Sequence, residues 1–209
     1  VFGDGATTVL KMKDGTIINT GQNMIDLRPD VDMEHILLKD MVLDMNGQNM
    51  PGWPGGSAWE QSHTLRYAGV SGQTTTLLEY DNITIRNRIA DGMNNQGLGQ
   101  VKDWKITNCS ADRVRLYTRS DIQQSKLVEN LTITGFTGES IESEPATSSP
   151  SSLATVTITG CNVERIDAYG PGIVDRALCE YHISNTVVAE QFTGGQAKIF
   201  ATGCKLKIA

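Results

Sequence analysis

Acidic residues recur in this chain at a spacing that would set them side by side. Six residues after the apolar centre of successive short, Thr-rich phrases stand Asp44, Asp91, Asp112, Glu139 and Glu164, and after one further phrase Ala189 followed at once by Glu190. If the phrases are parallel strands on stacked turns, neighbouring carboxylates lie about 4.8 Å apart. Glycosidases that retain configuration hold two carboxyls at about 5 to 5.5 Å, and those that invert it at about 6.5 to 9.5 Å. We therefore expect Asp91 and Asp112, with Glu139, to act as an acid/base or acid/nucleophile set along a groove. The alternative is a solvated acidic face neutralised by Arg113, Arg115 and Arg165, since stacked like charges need compensation. A cation held by Asp44, Asp91 and Asp112 is disfavoured, because no Asp/Asn cluster has the spacing of a metal-binding loop. We expect no metal and no cofactor.

A second set of candidates sits in "MNGQNMPGWPGGSAWEQSHTLRY", residues 45–67, read as a long loop insertion. Long loops on rigid scaffolds are where binding residues concentrate. Trp53 and Trp59 offer faces for sugar rings, while Glu60, His63 and Arg66 add donors, acceptors and a candidate general base. Arg113 completes the expected substrate-binding set. The competing use of the tryptophans is as a lid over the coil or a contact with a neighbouring subunit. Lyase chemistry would need a basic residue, and Lys105 and Arg86 are read as facing outward on adjacent turns.

The elements that must position these residues come from an internal repeat, the feature to seek first. The central apolar residues of "NITIRN" (Ile85), "DWKITNC" (Ile106), "NLTITGF" (Ile133), "TVTITGC" (Ile158) and "EYHISNT" (Ile183) lie 21, 27, 25 and 25 residues apart. "KIFATGC" adds Ala201, and "HILLKDM" adds Leu38, 47 residues before Ile85, a gap read as two turns and an insertion. Two residues before each centre stand Ile36, Ile83, Trp104, Leu131, Val156, Tyr181 and Ile199, so both positions face inward in a period-2 strand. Threonines dominate the flanking positions, as on a solvated sheet face. Two residues after the centre come Asp40, Asn87, Asn108, Gly135, Gly160, Asn185 and Gly203, which tolerate a left-handed bend. The next column, Met41, Cys109, Phe136, Cys161, Thr186 and Cys204, turns inward again, with Arg88 breaking it.

A strand, a bend and a second short strand every 18–27 residues describe an all-β chain. The expected fold is a right-handed parallel β-helix, a single-stranded solenoid stabilised by neighbour stacking. A leucine-rich repeat has a similar period, but its helical filler is missing: "GMNNQGLGQ", "SEPATSSPSS" and "YGPGIVDRA" read as loops. Residues 1–209 are expected to form one domain, with a flexible loop at 143–152. The absence of an initiator Met and the stop after "KLKIA" suggest a piece of a longer chain.

The rung phrase with its stacked Asn, together with Gly3, Gly5, Thr8 and Leu10 of "VFGDGATTVLKMKDGT", resembles the pectate-lyase-like β-helix superfamily over nearly the whole chain. The closest resemblance is to the β-helix domains of bacteriophage tailspikes and related polysaccharide-active proteins. It implies a carbohydrate polymer as partner and a homotrimer or particle-associated chain, in a virion or outside the cell.

Composition agrees with that expectation. A formal net charge of −6 argues against a nucleic-acid partner, and no apolar run has the roughly 18 residues of a membrane span. Four cysteines lack metal-ligand spacing. Cys109, Cys161 and Cys204 share a column with other residues between them, beyond disulfide reach, and Cys179 falls on another wall. Buried free thiols are expected. The sequons at Asn82, Asn108 and Asn130 are by-products of a Thr-rich repeat. The expected function is a virion spike or adhesin domain that binds a bacterial surface polysaccharide. Cleavage by hydrolysis or elimination stays open, with a secreted lyase, hydrolase or epimerase and a purely structural virion component as alternatives.

Overall fold

A computed structural model describes residues 1–15, 22–50, 62–95, 99–116, 128–143, 154–168, 179–193 and 197–208. The described residues form two parallel sheets of eight strands. The first contains β1 (Val9–Lys11), β3 (Met33–Asp44), β5 (Thr74–Arg86), β7 (Gln100–Thr107), β9 (Val128–Thr134), β11 (Ala154–Thr159), β13 (Cys179–Ser184) and β15 (Lys198–Thr202). The second contains β2 (Ile25–Leu27), β4 (Leu65–Tyr67), β6 (Met93–Asn95), β8 (Arg113–Leu116), β10 (Thr137–Ser143), β12 (Asn162–Ala168), β14 (Val187–Thr193) and β16 (Lys205–Ile208). Odd strands pair with odd and even with even, in chain order, so each pass through both sheets advances the stack by one strand. No helix among the described residues is long and apolar enough to cross a membrane.

Period-2 alternation explains the core between the sheets. Leu38, Tyr80, Ile106, Ile133, Ile158 and Ile183 stand opposite one another strand by strand, and all are buried. Two residues earlier, Ile36, Leu78, Trp104, Leu131, Val156, Tyr181 and Ile199 form a parallel inward column. On the second sheet Leu65, Met93, Val114, Ile141, Ile166 and Phe192 fill the facing wall.

These registers correct the sequence alignment in one turn. Ile106 faces Tyr80, not Ile85, because β5 runs on for thirteen residues through a left-handed corner at Asn82 (φ 52°). The inward residue after that corner is Ile83, which faces Met41, so Arg88 never belonged to the column it was read as breaking. Leu38 pairs directly with Tyr80, leaving one turn between them and not two. Segment 45–67 is also not all loop: Gly47–Asn49 is a single 3-10 turn and Leu65–Tyr67 is β4. Residues 51–61, with Trp53, Trp59 and Glu60, lie outside the described residues. So does the expected loop at 143–152, apart from Ser143 at the end of β10.

The bend column is left-handed throughout, at Asp40, Asn82, Asn108, Gly135, Gly160, Asn185 and Gly203. Past it, the cysteines do more than fill space. Cys109 Sγ donates to the carbonyls of Thr107 (3.3 Å) and Tyr80 (3.6 Å), and Cys161 Sγ to those of Thr159 (3.5 Å) and Ile133 (3.7 Å). In the same column Thr186 Oγ1 donates to Ser184 O at 2.9 Å. A side-chain donor thus returns to the carbonyl two residues back at each of these corners. Cys109, Cys161 and Cys204 are free thiols, and burial pushes the Cys109 thiol up to about 12. The side chain of Cys179 lies outside the described residues.

Gly135 and Gly160 share a left-handed backbone, but a Cβ at Gly135 would lie 2.7 Å from Asn108 Oδ1, whereas nothing stands within 4 Å at Gly160. Gly160→Ala should therefore cost about 1 kcal/mol from conformation alone. Gly135→Ala should cost more, and urea unfolding of the two variants gives the difference.

Candidate functional site

The acidic column is assembled by the second sheet. Met93 faces Val114, which sets Asp91 beside Asp112. Ser140 faces Arg113, which sets Glu139 beside Asp112, and Glu139 N–H donates to Asp112 O at 2.7 Å. Gly138 and Ser140 face Val163 and Arg165, which sets Glu139 beside Glu164. A turn earlier, Leu65 facing Met93 brings His63 level with Asp91. At the far end β12 and β14 shift register between Val163 and Arg165, so that Ala189 and Glu190 together oppose Glu164. A β-bulge of this kind accounts for the odd Ala-Glu pair in the sequence pattern.

Asp91 reaches this column by a route that counting from Ile85 does not contain. Its turn carries five residues more than the next between the corner at Asn82 and the start of β6. Counting from a centre five residues too late restores the correct position. Asp44 is not a member. It faces Arg86 on β5 and accepts hydrogen bonds from Asn87 Nδ2 (3.0 Å), Asn46 N (2.9 Å) and Arg86 Nε (3.1 Å). Burial opposes ionisation of Asp44, but these bonds outweigh it and hold the carboxyl below its usual range. Arg86 and Lys105 are likewise not on neighbouring positions, for Lys105 faces Glu79 and Thr132.

Arginines from four places close on the column. Asp91, with its side chain 5% exposed, meets Arg113 Nη1 at 3.2 Å, Arg115 Nη1 at 3.7 Å and His63 Nδ1 at 3.4 Å, and accepts from Asn94 Nδ2 at 3.0 Å. Glu142, on the outer face of β10, takes Arg113 Nε at 3.1 Å and Arg115 Nε at 3.3 Å. Glu139 takes Arg88 Nη2 at 3.0 Å and Arg165 Nη2 at 3.3 Å, and Asp112 takes Arg88 Nε. A buried carboxylate survives only with such compensation. The result is an ion-pair ladder: register sets carboxylate beside carboxylate along the column, Glu142 faces Arg115 directly, and the other pairs are made by arginines from non-facing positions.

Asp112 differs from the rest. Burial pushes its carboxyl up to about 7, with Asp91 acting in the same direction and Arg88 and Arg113 against it. Its oxygens occupy the space left by Gly92, where a Cβ would lie 2.8 Å from Asp112 Oδ1. A carboxyl that titrates near neutrality can both give and take a proton at working pH.

The structure thus brings together Asp91, Asp112, Glu139 and Arg113 of the sequence candidates. His63, in the irregular stretch just ahead of β4, joins them as a buried neighbour of Asp91, its side chain 1% exposed. Arg66 lies on the same sheet, in register with Asn94 and Arg115, and is 3.9 Å from Asp26. Sequence reasoning missed Arg88, Gly92, Asn94 and Glu142. Only Arg88 left a signal, as an apparent break in an inward column. Among the described residues no group of three or more His, Cys, Asp or Glu side chains is placed to hold a metal ion. Comparison with family models, with curated proteins and with solved structures returns no match in any of the three.

Since Asp112 holds its proton more tightly in the folded chain than the usual carboxylate of about 3.9, its contribution to stability is full below about pH 4. That contribution is lost as pH rises through about 7. Asp112→Asn should remove this loss. Thermal melts from pH 4 to 8 are expected to show the variant gaining on the native chain as pH rises.

Proposed function

We propose that the two sheets are walls of a right-handed parallel β-helix of the pectate-lyase-like kind. We further propose that the chain is the polysaccharide-binding domain of a virion spike or related adhesin. Support for the coil comes from strict alternation of strands between two parallel sheets, since crossovers between parallel strands are right-handed in nearly all proteins. Support for a sugar site comes from the ladder around Asp112. Half-exposed guanidinium groups and carboxylates in a rigid row match the hydroxyls and acid groups of a glycan. The single observation that carries a cleaving form is a near-neutral carboxyl flanked one turn away by a partly exposed one, Glu139 at 32% side-chain exposure. Asp112 then serves as the proton donor and Glu139 as the base or nucleophile. Asp91 holds Arg113 and Arg115, and since both Asp112 carboxyl oxygens are covered, a cleaving form needs that cover to open to substrate.

A second reading rests on the same ladder. Each of Asp91, Asp112, Glu139 and Glu142 already has an arginine partner, which is what a purely structural virion component stacking its turns would need. Light scattering and glycan binding separate the readings. The spike reading expects a trimer that binds members of a panel of acidic and neutral bacterial polysaccharides. In a cleaving form, Asp112→Asn lowers the release of reducing or unsaturated ends about 100-fold or more while binding persists. A trimer that binds none of the panel favours the structural component, and a cleaving monomer favours a free enzyme.

A further inference from the structure

Arg88 lies on the five residues by which its turn exceeds the next, just past the left-handed Asn87 (φ 53°). Those residues give the chain a second corner, and the guanidinium reaches forward across two later turns. Its Nε meets Asp112 and its Nη2 meets Glu139 at 3.0 Å, while Nη1 donates to Ala90 O at 3.4 Å. The last bond ties the head group to its own corner, so the fork has one orientation. A planar fork with several donors suits two carboxylates on adjacent strands in a way that a single ammonium does not.

We infer that Arg88 is a positioning residue that governs when the Asp112 carboxyl takes up and releases its proton, by tying it to Glu139 on the following turn. The inference deepens the reading of Asp112 as the proton-exchanging group and rests on it for its functional meaning. The groups facing Asp112 are Asp91 ahead of β6, the backbone N–H and guanidinium of Arg113 on β8, Arg88 from the corner after β5, and Glu139 on β10. Arg165 on β12 approaches Glu139. Of the two charges that oppose proton uptake by Asp112, Arg113 is already engaged by Asp91 and Glu142. Arg88 supplies the larger effect. When Asp112 takes its proton from water or gives it to a leaving group, the guanidinium stays charged and keeps Glu139 as its partner. Proton uptake thereby frees the carboxyl without an unpaired cation being left behind, and proton release restores its pairing with Arg88.

The test is a carboxyl-carbon NMR titration of Asp112 and Glu139 in the native chain, Arg88→Gln, Arg88→Lys and Arg165→Gln. Arg88→Gln should lower the acid dissociation constant of Asp112 at least tenfold. Arg88→Lys should lower it less, since one ammonium meets one carboxylate. Arg165→Gln should leave Asp112 in place. An Asp112 titration unchanged in Arg88→Gln, or moved equally by Arg165→Gln, overturns the inference. If Arg88→Gln does not fold, an unchanged titration in Arg88→Lys overturns it instead. A native Asp112 that titrates in the ordinary carboxylate range, yet still shifts in Arg88→Gln, sinks the proton-donor reading and leaves the role of Arg88 standing.

Discussion

Everything in this chain depends on parallel backbone hydrogen bonding held in register from one turn to the next. Side chains at equal positions are then about 4.8 Å apart, whatever their chemistry. Where they point inward the result is favourable without further condition, because apolar columns such as Leu131, Val156 and Tyr181 bury one another. Where they point outward, register forces like onto like, and the sequence has to supply compensation. Stacked Asp91, Asp112, Glu139 and Glu164 would repel if left alone.

Compensation comes from arginines one to three residues along the chain from an acid of the column. Arg113 and Arg115 lie on β8 itself, Arg165 on β12, and Arg88 on an extra corner. The arginine partners of Asp91 and Glu142 are anchored within the sheet, with separate donors for separate oxygens. Asp112 is held from outside the sheet, by a residue whose other arm is occupied. Its high proton affinity therefore follows from burial that its neighbours only partly offset. The ladder is least balanced at Asp112.

The strand period, the inward columns from Ile106 onward and the left-handed bends were legible, because each depends on residue type at a fixed offset. The register of β5 was not. "LLEYDN" and "NITIRN" both place two apolar residues ahead of an Asn that bends left-handed, at Asn82 and at Asn87, and both lie on one continuous stretch. Pattern alone fits either, and only pairing with β7 selects Tyr80. Asp91 was found in spite of this, since the turn is longer by the same five residues. Gly92 left no signal and Arg88 only an apparent break in a column, for a different reason: their importance lies in which later turn they meet, and a single strand's periodicity carries no such information. Cys109 and Cys161 were legible as buried and free, while Cys204 is free but only half-buried, and none was legible as a donor to the corner carbonyls, a role that Thr186 shares.

Register is open to direct test by cross-linking. In a background with the four native cysteines replaced by serine, Glu79→Cys with Lys105→Cys places two outward thiols on facing positions of β5 and β7. That separation is within the range a disulfide accepts. Thr84→Cys with Lys105→Cys tests the alternative in which Ile85 faces Ile106. The account predicts rapid, nearly complete disulfide formation for the first pair and almost none for the second, whose positions lie roughly 16 Å apart along the strands. Efficient cross-linking of the second pair and not the first would contradict the register, and with it the ladder that depends on it.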